Sequence, residues 1–73
     1  MAKTLYSNEY KRLIQKLKKA RLDCGLNQTA VGKLLKKEQT FVSKVEAGQY
    51  RLDAIQLSKF AKIYKKDIKY FFI

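Results

Sequence analysis

The chain has 73 residues, of which 17 are Lys or Arg and 6 are Asp or Glu, giving a formal net charge of +11. So large a field on so small a body selects polyanionic partners, and a 47% hydrophobic share is too high for a disordered basic tail, so a single domain over residues 1–73 with one modest core is expected. One cysteine and no histidine exclude an internal disulfide framework, leave no Cys/His metal cluster and remove the usual general base; no apolar run reaches the ~18 residues of a transmembrane helix and no signal-peptide core opens the chain, so a cytoplasmic protein is expected.

After a short N-terminal arm, residues 1–7, Ser7 can cap a first helix from about Asn8 to Asp23 with Tyr10, Leu13, Leu17 and Ala20 on its buried face. Gly25 ends it. Asn27 caps a second helix, Gln28 to Leu35, in which Val31, Leu34 and Leu35 share one face. Gly32 inside that helix costs about 1 kcal/mol against alanine, which predicts that the next helix crosses at close range. The third helix runs from about Gln39 to Glu46, with Val42 and Val45 as its buried stripe, and Gly48 stops it in the left-handed conformation. A loop of Gln49 to Leu52 leads to Asp53, the cap of a fourth helix with Ala54, Leu57, Phe60, Ala61 and Tyr64 at core spacing. Asp67 then caps a short fifth helix holding Ile68, Phe71 and Phe72. With no proline, linker or repeat, the chain reads as all-α, a compact five-helix domain. Residues 28–47 form two helices joined by a turn too tight for an ordinary helical hairpin. Such a pair presents its second helix outward, and in DNA-binding proteins that helix enters the major groove.

Gly25-Leu26-Asn27-Gln28, Val31-Gly32, Leu35, Phe41-Val42-Ser43-Lys44-Val45-Glu46-Ala47-Gly48, Arg51-Leu52-Asp53 and the closing Ile68 to Phe72 resemble the helix-turn-helix domain of the phage-repressor and Cro type, the Xre family. The match runs without a gap from about Leu13 to Phe72 and is strongest over Phe41 to Asp53. It implies a lambda-repressor-like five-helix domain, bacterial or phage, that binds operator DNA, usually as a dimer, and regulates transcription. Carried over to this chain, the resemblance puts Gln28 and the free N–H groups of the second helix's first turn on a DNA phosphate. It puts Gln39, Thr40 and Lys44 at base edges, where a glutamine amide can pair twice with adenine and a lysine can donate to guanine O6 and N7. Ser43 and Arg51 become further phosphate contacts. Arg21 and Glu46 become a partly buried structural ion pair that holds the third helix on the first. Phe41 either packs beneath the third helix or projects toward a thymine methyl.

The chain departs from the family pattern in the turn. Lys36 and Lys37 stand where a glycine and an apolar residue are frequent, so Lys36 is expected to accept a left-handed conformation at some cost. Glu38 stands where serine or proline is frequent and brings a carboxylate toward a negatively charged groove. Ile63, Tyr70, Phe72 and Ile73 cannot all fit inside so small a core, so an exposed apolar surface and a homodimer through the C-terminal helices are expected. Cys24 reads as a small filler or a surface thiol. No pair of titratable groups is set for acid–base or nucleophilic work, so neither an enzyme nor a cofactor is expected. The leading reading is a double-stranded DNA-binding repressor acting by operator occupancy. The alternative is an antitoxin-like or other partner-binding module that also binds DNA through this fold while its aromatic C-terminus grips a protein partner. A membrane partner is not expected, because the basic residues are not segregated opposite an apolar face.

Overall fold

The computed structural model describes residues 7–72, so the N-terminal arm, apart from Ser7, and Ile73 lie outside the described residues. Every described element is helical: α1 (Asn8–Asp23), α2 (Gln28–Leu35), α3 (Gln39–Glu46), α4 (Ala54–Ile63) and a closing 3-10 turn, Ile68–Phe72.

Local chemistry sets the helix starts. Ser7 Oγ accepts the Tyr10 N–H at 3.2 Å and Asn27 Oδ1 accepts the Ala30 N–H at 2.8 Å. Asp53 and Gln56 form a reciprocal capping box, with Oδ1 of Asp53 accepting from Gln56 N at 2.7 Å and Oε1 of Gln56 accepting from Asp53 N at 3.2 Å. Glu38 precedes α3 without a side-chain cap bond.

The helix ends share one closure, in which a left-handed residue turns the chain and the next N–H reaches back five residues. At Gly25 and Gly48 the φ angles are +72° and +76°. Leu26 N–H then donates to Arg21 O at 3.2 Å and Gln49 N–H to Lys44 O at 2.9 Å. The other two ends use lysine: Lys36 at φ 60° and Lys65 at φ 57°, followed by Lys37 N–H to Gly32 O at 2.8 Å and Lys66 N–H to Ala61 O at 2.9 Å. Lysine pays a left-handed penalty that glycine avoids.

The core forms where α1, α2, α3 and α4 converge, and Leu17, Val31, Val42, Val45, Phe60 and Tyr64 are each essentially sealed from solvent. Each such side chain contributes about 1.5–3 kcal/mol by leaving water. Gly32 is the point of closest approach in the helix pair. A Cβ there would lie 3.0 Å from Lys37 O and 3.2 Å from the Glu38 carbonyl carbon and oxygen, so it is turn backbone, ahead of α3 itself, that needs the missing side chain.

One expectation about burial fails. Leu34 is 59% exposed. It lies about 100° around α2 from Leu35, and with Leu35 it lines an open groove whose other side is formed by Lys59, Lys62 and Ile63 of α4. The last element is 3-10 rather than α, and of its apolar residues only Phe71 is buried. Three residues per turn place Phe72 about 120° away from Phe71, and Phe72 is 68% exposed. Tyr70, half-buried, ties this turn to α1. Lys16 Nζ donates to Tyr70 O at 3.2 Å, and the Lys16 and Lys66 ammonium groups lie 5.5 and 4.7 Å from the Tyr70 ring centre.

Candidate nucleic-acid interface

Helix α3 is amphipathic in the way a helix held on a scaffold must be. Val42 and Val45 are fully buried, whereas Gln39, Thr40 and Lys44 are exposed and Ser43 is half-buried. Phe41 packs as part of the scaffold, edge-on to Tyr50 with ring centres 5.0 Å apart and stacked on Phe60 at 6.4 Å; the Lys37 ammonium lies 5.4 Å from its ring. These aromatic contacts fix the rotation of α3, and therefore which side chains it turns outward.

The C-terminal end of α3 is anchored through charge. Arg21 Nε donates to Glu46 Oε2 at 2.7 Å and Nη2 to Oε1 at 3.1 Å, a two-pronged pair whose side chains are 8% and 5% exposed. Arg21 Nη1 also donates to Leu26 O at 3.0 Å, tying the α1–α2 turn to the same guanidinium. The hydrogen bonds to Glu46 raise the Arg21 pKa above its ordinary value despite the opposing effect of burial, so the guanidinium keeps its charge. Tyr64 lies among these groups. Its pKa is pushed well above the ordinary tyrosine range, by burial first and by the Glu46 charge second, and its buried hydroxyl has no hydrogen-bond partner among the described residues.

Glu46 also reaches the outer face. Gln28 Nε2 donates to Glu46 Oε1 at 3.0 Å, and Gln39 Nε2 donates to Gln28 Oε1 at 2.7 Å. Arg21, Glu46, Gln28 and Gln39 thus form one continuous chain of hydrogen bonds from the buried side of α1 to the exposed first turn of α3. Nothing local in the sequence marks the Gln28 link, whose partners stand eleven and eighteen residues away; from the sequence Gln28 is expected only as a phosphate contact at a helix N-terminus. At that N-terminus the Asn27 cap takes the Ala30 N–H, so the Gln28 and Thr29 N–H groups point out of the helix end as a positive pole.

Arg51 lies outside this chain. It follows α3 in the loop, with its guanidinium 5.2 Å from the Tyr10 ring centre, and Tyr10 Oη accepts the Leu52 N–H at 2.9 Å. That pair of contacts holds the α3–α4 loop against α1. Cys24 is exposed, and its thiol donates to Tyr64 O at 3.3 Å. Among the described residues no group of three or more His, Cys, Asp or Glu side chains is placed to hold a metal ion, and no helix is long and apolar enough to cross a membrane.

The helix-turn-helix family model matches residues 17–71 of this chain, from the middle of α1 to Phe71. No curated protein and no solved structure matches it.

Proposed function

The chain belongs to the helix-turn-helix family, in its phage-repressor and Cro type, and from that premise we propose that it is a sequence-specific regulator of transcription that represses by occupying its operator. The family is one of DNA-binding regulators rather than of enzymes, and no catalytic step or cofactor is assigned to this member.

The observation that carries the proposal is the hydrogen bond of 2.7 Å between Gln39 and Gln28. It joins the exposed start of α3 to the positive end of α2, so that a base-edge contact and a phosphate contact would be made by side chains already held in register. Gln28 retains a second N–H for a phosphate beside the helix N-terminus. Gln39, Thr40 and Lys44 then meet base edges in the major groove, and Ser43 and Arg51 meet the backbone on either side. A protein with +11 of formal charge adds non-specific attraction, with affinity falling on a log–log slope of about −0.9 per phosphate neutralised. Repression follows from exclusion of polymerase at an occupied site. The expected assembly is a cytoplasmic homodimer joined through its C-terminal helices, for which Phe72, 68% exposed, and Ile68, 38% exposed, supply apolar surface.

The test is selection of bound duplexes from a random DNA library at about 150 mM salt, where non-specific binding is suppressed. A palindrome with half-sites about one helical turn apart is expected. Failure to enrich any sequence by a folded protein that binds at low salt overturns the proposal. The same exposed apolar surface favours a second reading, an antitoxin-like module with a protein partner. Equilibrium sedimentation separates the two: a dimer at tens of micromolar supports the homodimer, and a monomer moves that surface to the partner reading.

A further inference from the structure

We propose that the open groove between the C-terminal halves of α2 and α4 is a docking site for an acidic amphipathic helix of a second protein. The groove has a volume of about 380 Å³ and is lined by Leu34, Leu35 and Lys36 on one side and by Lys59, Lys62 and Ile63 on the other. Neither Ile68 nor Phe72 belongs to it.

Its floor is apolar. Leu35 and Ile63 are half-buried against the core, and Leu34 leaves 59% of its surface in water. Its rim carries one sign of charge. Lys36, Lys59 and Lys62 are all exposed, no acidic side chain lines the groove, and among the described residues no ion pair engages any of the three. The apolar strip continues along α4: at about 100° per residue, Ile55 falls within the arc of about 100° that Lys59, Lys62 and Ile63 occupy, and it is 67% exposed. A solvated lysine face has no use for exposed leucine and isoleucine between its charges, whereas a docking surface does.

The charges select the partner. An apolar floor with a positive rim is matched by a segment that carries aliphatic side chains along its middle and carboxylates at its margins. A second copy of this chain does not supply one. Each copy carries +11, and its exposed acids, Glu9, Asp23, Glu38, Asp53 and Asp67, stand singly at helix ends and turns rather than along a helix face. Nucleic acid would meet the lysines but leave Leu34 and Ile55 in water. A bilayer takes a protruding apolar face, and this one is recessed between two helices.

The fold selects the partner's conformation. Every described element is helical, so no sheet edge is open to an extended peptide, whereas a helix arrives with its backbone groups already paired. Anchors at i, i+4 and i+7 of such a helix span about 10.5 Å, close to the run of about 12 Å along α4 from Ile55 to Ile63. Leu34 lies about 9 Å along α2 from Gln28, toward the end of the helix opposite the N–H groups assigned to phosphate, so the groove can be filled while α3 occupies DNA.

The test offers displayed random peptides of about 15 residues, four helical turns, to the immobilised full chain at about 150 mM salt, with and without excess random duplex DNA. Both arms are expected to enrich peptides with aliphatic residues at i, i+3 or i+4 and i+7, flanked by Asp or Glu. Leu34→Ser, at an exposed position and checked for folding by circular dichroism, should weaken a selected peptide roughly tenfold or more. Ile55→Ser repeats that test at the far end of the strip. Lys59→Glu/Lys62→Glu should keep the aliphatic spacing in the selected peptides and lose their acidic enrichment.

Acidic peptides without the aliphatic spacing, or affinity unchanged in both serine variants, would reduce the attraction to net charge and overturn the inference. Loss of enrichment only when duplex is present would assign the groove to nucleic acid and overturn it equally, as would enrichment of no peptide in either arm. None of these outcomes bears on selection of a DNA site through α3, and failure of that selection leaves the peptide result standing.

Discussion

Glu46→Gln should cost this domain a large part of its stability. The substitution keeps the shape of the side chain and removes its charge, so Arg21, 8% exposed, is left as an uncompensated buried guanidinium with three donors that had faced Glu46 or Leu26. Breaking one side of a pair buried to this degree costs about 3–5 kcal/mol. A domain of this size holds about 4–11 kcal/mol in total, so the loss corresponds to a fall in melting temperature of about 12 °C or more. Thermal melts followed by circular dichroism at pH 7 measure it directly. Replacement of both partners, Arg21→Met/Glu46→Leu, should by contrast stay within about 1 kcal/mol of the wild type, because desolvation of two charges disappears together with their attraction. A Glu46→Gln melt within about 3 °C of the wild type would refute the reasoning and assign the pair the small value of a solvated one.

Tyr64→Phe removes a buried hydroxyl without a protein partner and should raise stability by about 1 kcal/mol at neutral pH. Because the Tyr64 pKa is raised in the folded state, its stabilising effect is complete below the unfolded value of about 10 and is lost as pH rises beyond it. The Phe variant's advantage should therefore widen between melts at pH 7 and at about pH 11, and a variant less stable at pH 7 would show the hydroxyl to be satisfied. Gly32→Ala should destabilise by about 1–3 kcal/mol in urea titration, against the gain of about 1 kcal/mol that helix propensity alone predicts, because the new Cβ meets turn backbone at 3.0 Å. Lys36→Gly should raise stability by about 0.5–1 kcal/mol in thermal melts, since glycine takes the φ of 60° without a Cβ clash; an unchanged or lower midpoint would show that Lys36 makes compensating contacts.

The features that were legible in the sequence are those governed by near neighbours. Ser7, Asn27 and Asp53 cap the helices they precede because each oxygen needs only a backbone N–H three residues on, and the bounds of α1 to α3 follow from those caps and from Gly25 and Gly48. Lys36 was also legible, because the family's turn requires a left-handed residue there whatever its side chain. Lys65 was not. Its φ of 57° serves a closure that turns the chain so that Phe71 can enter the core, and no residue type at that point announces it. Leu34 and Leu35 are equally apolar and adjacent, and only the packed helices show that the first stays largely in water.

The sequence by itself determined the helical periodicity, the caps, the excess positive charge and the family pattern, all of which depend on residue type and on spacings of a few positions. Tertiary structure alone decided the side-chain chemistry of the candidate interface. Phe41 became scaffold because Tyr50 and Phe60 converge on it. Gln28 became a link because Glu46, eighteen residues away, and Gln39, eleven away, arrive at its two ends. A hydrogen bond is directional and reaches only about 3 Å, so which donor meets which acceptor is settled only when the helices have packed.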